Sequence, residues 1–209
     1  MSHHLSPELL LVHMRIKYPL GIQTFSKIIK RKLLYVDKTA IIYALIEQGS
    51  AYFLSRPRRF GKSLLISTLE ALFSGEKGLF EGLAIFDTDY DFTVYPLVML
   101  ELSRVDVRQG KDLEQYIVNA TNDHARQYDI ALERDSYEQR FVELVTKLYE
   151  KTGEEVVFFV DEYDKPILDN IFNDELQSIK NVMNRFYATV KSLDRYLRFV
   201  FITGVFKVC

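Results

Sequence analysis

Ala51-Tyr52-Phe53-Leu54, followed by Ser55-Arg56-Pro57-Arg58-Arg59-Phe60-Gly61-Lys62-Ser63, is the stretch on which the fold turns. Its first four residues are aromatic and aliphatic, a short apolar run of the kind that forms a buried strand, and Ser55-Arg56-Pro57 ends it. From Lys62 to Phe73 the apolar residues Leu65, Leu69, Leu72 and Phe73 recur at helical spacing, with Ser74-Gly75 as the stop. The spacing therefore predicts strand, loop and helix in direct succession.

The loop fits the G-x-x-x-x-G-K-[ST] phosphate-loop template at every defined position except the first, where Arg56 stands in place of glycine. Wrapping a phosphate requires backbone N–H groups turned inward and a helix N-terminus facing the anion. Gly61 permits close approach, Lys62 has the charge to neutralise β and γ phosphates, and the Ser63 hydroxyl suits Mg²⁺. Arg59, Phe60 and Leu64 flank these three and complete the expected nucleotide-contact set in the loop. A Gly-Lys-[Ser/Thr] tripeptide occurs by chance in roughly one chain of this length in ten, so its place between a strand and an amphipathic helix carries the weight. Arg56, Arg58 and Arg59 fit a solvated loop, a nucleic-acid patch, or contact with the nucleotide or a neighbouring subunit; the sequence leaves these open.

Working outward, Asp37 is placed to cap a helix running to Gln48, and Leu97 to Leu102 reads as a second strand with Pro96 at its entrance. Helices fit 111–128 and 136–151. Val156-Val157-Phe158-Phe159-Val160 is a continuous apolar run, the pattern of a strand covered on both faces. A helix over 174–193 leads to a fourth strand, Phe199 to Ile202, which ends on Thr203-Gly204. Alternating strands and helices predict a three-layer α/β fold with a mainly parallel sheet, whose ligands bind at the carboxyl ends of the strands. Residues 14–50 are expected to form an N-terminal helical segment and 51–209 the core. Residues 1–13 read as a leader, a cloning remnant or an upstream start before Met14.

Asp161-Glu162 closes the third strand. An aspartate there, in the Walker B manner, orients Mg²⁺ beside the phosphates, and the adjacent Glu162 is the candidate base that polarises an attacking water. Thr203 at the end of the fourth strand has the character of a residue that senses the γ-phosphate or positions water. The expected site is thus Lys62 and Glu162 as catalytic groups and Ser63 and Asp161 on Mg²⁺, with Thr203 added to the loop contacts.

Composition bounds the partners. The 27 basic and 29 acidic residues leave a formal charge of -2, which gives no support to a global attraction for nucleic acid or anionic lipid. One cysteine, Cys209, excludes an internal disulfide and fits a reducing, cytoplasmic compartment. His3, His4, His13 and His124 show no paired ligand spacing, so no zinc site is expected. No apolar run approaches the ~20 residues of a membrane span.

Tyr18-Pro19-Leu20-Gly21-Ile22-Gln23, Tyr35-Val36-Asp37-Lys38-Thr39, Ser55 to Ser63 and Asp161-Glu162-Tyr163-Asp164-Lys165-Pro166 together resemble the predicted AAA-ATPase-like family of bacteria and archaea, over about residues 16–207. In that family Arg-Pro-Arg-Arg-Phe-Gly-Lys-Ser is the usual phosphate loop, which accounts for Arg56. The resemblance implies a P-loop NTPase core that binds ATP, with Glu162 as catalytic glutamate. It also implies a further strand beyond the fourth, so that the sheet is expected to be truncated before its last strand. Family members often carry a C-terminal PD-(D/E)XK nuclease-like domain, for which this chain has no segment. Retention of both Lys62 and Glu162 favours Mg²⁺-dependent ATP hydrolysis, with a nucleotide-gated binding or regulatory module of negligible turnover and an inactive remnant as the alternatives. A homo-oligomer or protein partner is compatible with each.

Overall fold

The computed structural model describes residues 17–206, so the reading of residues 1–13 lies outside the described residues. Four strands form one sheet in the order β1-β4-β3-β2: β1 (Ala51–Ser55), β2 (Leu97–Glu101), β3 (Val156–Asp161) and β4 (Leu197–Gly204). Every neighbouring pair is parallel. Parallel pairs need long crossovers, and here helices supply them. α1 (Phe25–Lys30) and α2 (Thr39–Gln48) precede β1, and the crossovers contain α3 (Lys62–Phe73), α4 (Gly110–Gln127), α5 (Tyr137–Thr152), α6 (Lys165–Leu168) and α7 (Leu176–Ser192).

The unbroken apolar run of β3 follows from its central place. All six of its residues are buried, and alternate side chains enter two separate cores. Phe158 and Val160 face α4, α5 and α7 through Leu113, Phe141, Leu144, Val182 and Phe186. Val157 and Phe159 face the other layer with Phe25, Ile42, Leu69, Leu72 and Phe73 from α1, α2 and α3. The result is a three-layer α/β fold.

Several local expectations shift by a residue or two. The helix after Asp37 begins at Thr39, with Lys38 as its N-cap. Asp37 nevertheless serves the helix start from outside, its carboxylate accepting the backbone N–H of Thr39 and of Ala84, each at 2.8 Å. Leu102 leaves β2 and opens a short 3-10 turn with Ser103 and Arg104. β4 extends past Ile202 to Gly204, which carries Thr203 inside the ladder opposite Leu54 of β1.

The outer edge of β2 has side chains where a further strand would pair. Leu97 N–H donates to Tyr128 Oη at 2.7 Å, and Met99 N–H donates to His124 Nε2 at 3.1 Å. Both groups come from α4 or its C-cap. They remove the open backbone that makes an edge strand prone to pairing.

Candidate functional site

The carboxyl ends of β1, β3 and β4 converge on one rim, and the loop from Arg56 to Gly61 lies over it. Gly61 is the N-cap of α3 with φ +78, a left-handed conformation that an L side chain adopts only at a cost of roughly 1–2 kcal/mol. Arg59 adopts the same region with φ +68. A left-handed residue next to a right-handed one turns successive backbone N–H groups toward a common concavity. The N–H groups of Arg58, Arg59, Phe60 and Gly61 donate no hydrogen bond within the described residues.

Lys62 begins α3 and is only 5% exposed, because its stem packs under the loop while Nζ donates to the carbonyls of Arg56 at 3.0 Å and Pro57 at 3.2 Å. Phe60 is exposed, as are Arg56, Arg58 and Arg59, and none of these arginines makes an ion pair within the described residues. Their positive charge is left uncompensated beside the loop. Leu64 turns the other way, partly buried against the core beneath α3. Its backbone N–H is one of the free donors of the first helical turn.

Ser63 and Asp161, 98 positions apart, meet directly: Ser63 Oγ donates to Asp161 Oδ2 at 2.9 Å. The other carboxylate oxygen, Oδ1, accepts a short hydrogen bond from Thr203 Oγ1. Asp161 is 6% exposed and Thr203 is fully buried. A buried carboxylate with both oxygens occupied has one orientation available, which is what a ligand-holding group requires. Glu162 follows with φ +54, and its N–H donates to Thr203 Oγ1 at 3.3 Å. Its carboxylate accepts no hydrogen bond within the described residues.

Of the sequence-derived set, Ser63, Asp161 and Thr203 are thus joined by side-chain hydrogen bonds and the Glu162 N–H joins them through Thr203, whereas Lys62 Nζ is held by the loop carbonyls and Arg59 and Phe60 stay exposed. Residues that the sequence reading did not single out also enter: Ser55 and Asp164 bond to the chain just past β4. Asp164 had a signal in its place within Asp161-Glu162-Tyr163-Asp164, but the partner backbone is 41 positions away and has no sequence signature.

With this geometry in view, a family model described as "Predicted AAA-ATPase" matches residues 19–209. The chain belongs to the AAA-ATPase-like family. An uncharacterized protein in the vnfD 5' region of Azotobacter chroococcum mcd 1 is 41% identical to this member over 196 residues, which cover 92% of this chain. The same alignment covers 38% of that relative, so this AAA-ATPase-like chain spans well under half of its length. No solved structure matches the chain. Among the described residues of this family member, no helix is long and apolar enough to cross a membrane.

Proposed function

We propose that the chain binds ATP together with Mg²⁺ at the rim of the sheet and hydrolyses it, with residues 51–209 as the nucleotide-binding core and 14–50 as its helical N-terminal segment, in a cytoplasmic protein. The observation that carries this reading is the 2.9 Å contact between Ser63 Oγ and Asp161 Oδ2, which joins the phosphate loop to the acidic strand end. Family membership supports nucleotide binding.

The oxygen donors fit the ion. Mg²⁺ prefers hard oxygen ligands, keeps several waters and commonly takes only one or two protein ligands beside phosphate oxygens. Ser63 and Asp161 offer a hydroxyl and a carboxylate already at hydrogen-bond distance. Ser63 and Asp161 would hold the ion, with phosphate oxygens and water as its further ligands. When bound, Mg²⁺ supplies neutralisation of the charge that develops on the phosphate oxygens.

The chain's own groups do the rest. Lys62 exchanges the Arg56 and Pro57 carbonyls for β and γ phosphate oxygens, while the free N–H groups of Arg58 to Gly61 and of the first turn of α3 cradle the polyphosphate. Arg59 and Phe60 border the bound nucleotide. Thr203 fixes Asp161 through its hydroxyl. Glu162 accepts a proton from water as its oxygen bonds to the γ-phosphorus. The bond from that phosphorus to the bridging oxygen breaks, and the electron pair leaves with ADP.

Binding and steady-state hydrolysis by Lys62→Ala and Glu162→Gln test the reading. Lys62→Ala is expected to weaken ATP binding by about ten- to hundredfold, the worth of a charged hydrogen bond. Glu162→Gln is expected to keep binding and lose about 10²–10⁴-fold in turnover. Tight binding without turnover by the unmutated protein would replace hydrolysis with a nucleotide-gated switch, and absence of binding would overturn the proposal.

A further inference from the structure

The segment 203–206, at and beyond the end of β4, is bonded on two sides. Toward β1, Arg56 N–H donates to Gly204 O at 3.0 Å and Ser55 Oγ donates to Val205 O at 2.7 Å, so the segment holds the base of the phosphate loop. Toward β3, Glu162 N–H donates to Thr203 Oγ1 at 3.3 Å, Tyr163 N–H to Thr203 O at 2.9 Å, and Tyr163 Oη to Phe206 O at 2.8 Å.

Asp164 completes this second side. It is 1% exposed, and its Oδ2 accepts the N–H of Val205 at 2.7 Å and of Phe206 at 2.8 Å. A carboxylate is taken out of water only where charged hydrogen bonds replace hydration, and two backbone donors on one oxygen do so here. The fit is tight: a Cβ on Gly204 would come within 2.6 Å of the Tyr163 ring and 3.0 Å of Asp164 Oδ1. Tyr163 packs edge-on to Phe53 of β1 and to Tyr187 of α7. Burial pushes the Tyr187 phenol up, and Tyr163 and Asp164 push it the same way.

We infer that Asp164 is a positioning residue: its buried carboxylate anchors the 203–206 strap, which ties the phosphate loop at Ser55 and Arg56 to Glu162. The inference rests on the ATP-hydrolysis reading for what Glu162 does. Glu162 needs such a hold, because a non-glycine residue at φ +54 returns to extended or right-handed conformations unless its neighbours fix it. With Oδ2 committed to Val205 and Phe206, Asp164 acts through the strap and not on the nucleotide.

The test compares the unmutated chain with Asp164→Asn, which keeps the shape and removes the charge, and with Tyr163→Phe, which removes one strap bond and leaves the carboxylate. Amide exchange at Val205 and Phe206, ATP affinity and kcat are measured for each. Asp164→Asn is expected to speed exchange at both amides and to lower kcat by about ten- to hundredfold, the effect of a small misplacement at a reacting centre, with Kd for ATP changed less than about threefold. Tyr163→Phe should move the same quantities less. Faster exchange with kcat unchanged would overturn the positioning role, and so would parallel loss of affinity, kcat and folding in both variants. If the unmutated chain binds ATP without turnover, the hydrolysis reading falls separately. The strap is then decided by ATP-induced protection of the Glu162 amide, which is lost in Asp164→Asn if the inference holds and kept if it does not.

Discussion

Thr203 Oγ1 donates to Asp161 Oδ1 while accepting the N–H of Glu162, so one buried hydroxyl joins the ends of β3 and β4 and serves both acidic neighbours. Thr203→Val keeps the volume and removes the donor and the acceptor together. It is expected to cost about 2–3 kcal/mol, since a buried charged group then loses a partner. Thr203→Ser should lose less than about 1 kcal/mol. Urea unfolding checks this as a lower midpoint with an unchanged slope; equal midpoints for Val and Thr would refute it.

Ser63 holds the other oxygen of the same carboxylate. Comparing ATP binding in Mg²⁺ with binding in a chelator isolates what the Ser63 hydroxyl contributes through the ion. Ser63→Ala should reduce the Mg²⁺-dependent gain in affinity by about tenfold or more and leave metal-free binding nearly unchanged. An undiminished gain would remove Ser63 from the ion's ligands.

At the far edge of the sheet, Tyr128→Phe would leave the Leu97 N–H without its 2.7 Å partner. The expected loss is about 1–2 kcal/mol in urea unfolding. Sedimentation should also detect self-association, because the variant re-opens part of an edge that could template another strand. Unchanged stability and a monodisperse profile would show that water replaces the phenol at no cost.

Glu143 titrates anomalously. Partial burial pushes its carboxyl upward, but the Lys147 ammonium and the N–H groups of Arg134 and Glu133 outweigh this and hold it down at about 2. Its folded-state value is below the ordinary 4.5, so its contribution to stability is complete above about 4.5 and disappears as pH falls toward 2. Unfolding measured between those limits should show a shallower loss of stability for Glu143→Gln than for the unmutated chain. Identical slopes would mean that the contact with Lys147 is not maintained in solution.

How much was legible varies by element. β3 and α3 were read almost to the residue, because a run buried on both faces and a helix packed on one side each write their burial into local hydrophobic order. α1 and α6 leave no pattern of their own in the sequence. They have six and four residues, too few for a period to emerge. Asp37 has the N-cap signal, an Asp before an apolar helix, yet its carboxylate divides between Thr39 and Ala84, and nothing local to residue 37 announces Ala84.

Within the site, the loop template and the acidic strand end could be quoted from the chain, since the tight turn, the helix N-terminus and the strand are each local. Local order in the chain is enough for the α/β class, and it nominates the phosphate loop and the candidates Lys62, Ser63, Asp161, Glu162 and Thr203. The place of β4 between β1 and β3 emerges only in the folded chain, and this order brings Thr203 to Asp161, Ser55 to Val205 and Asp164 to Phe206. The physical reason is range. Burial and turn chemistry act over a few residues and leave a local pattern, whereas strand order is chosen by packing of the whole sheet against two helical layers, and hydrogen bonds across it join residues with no shared local signal.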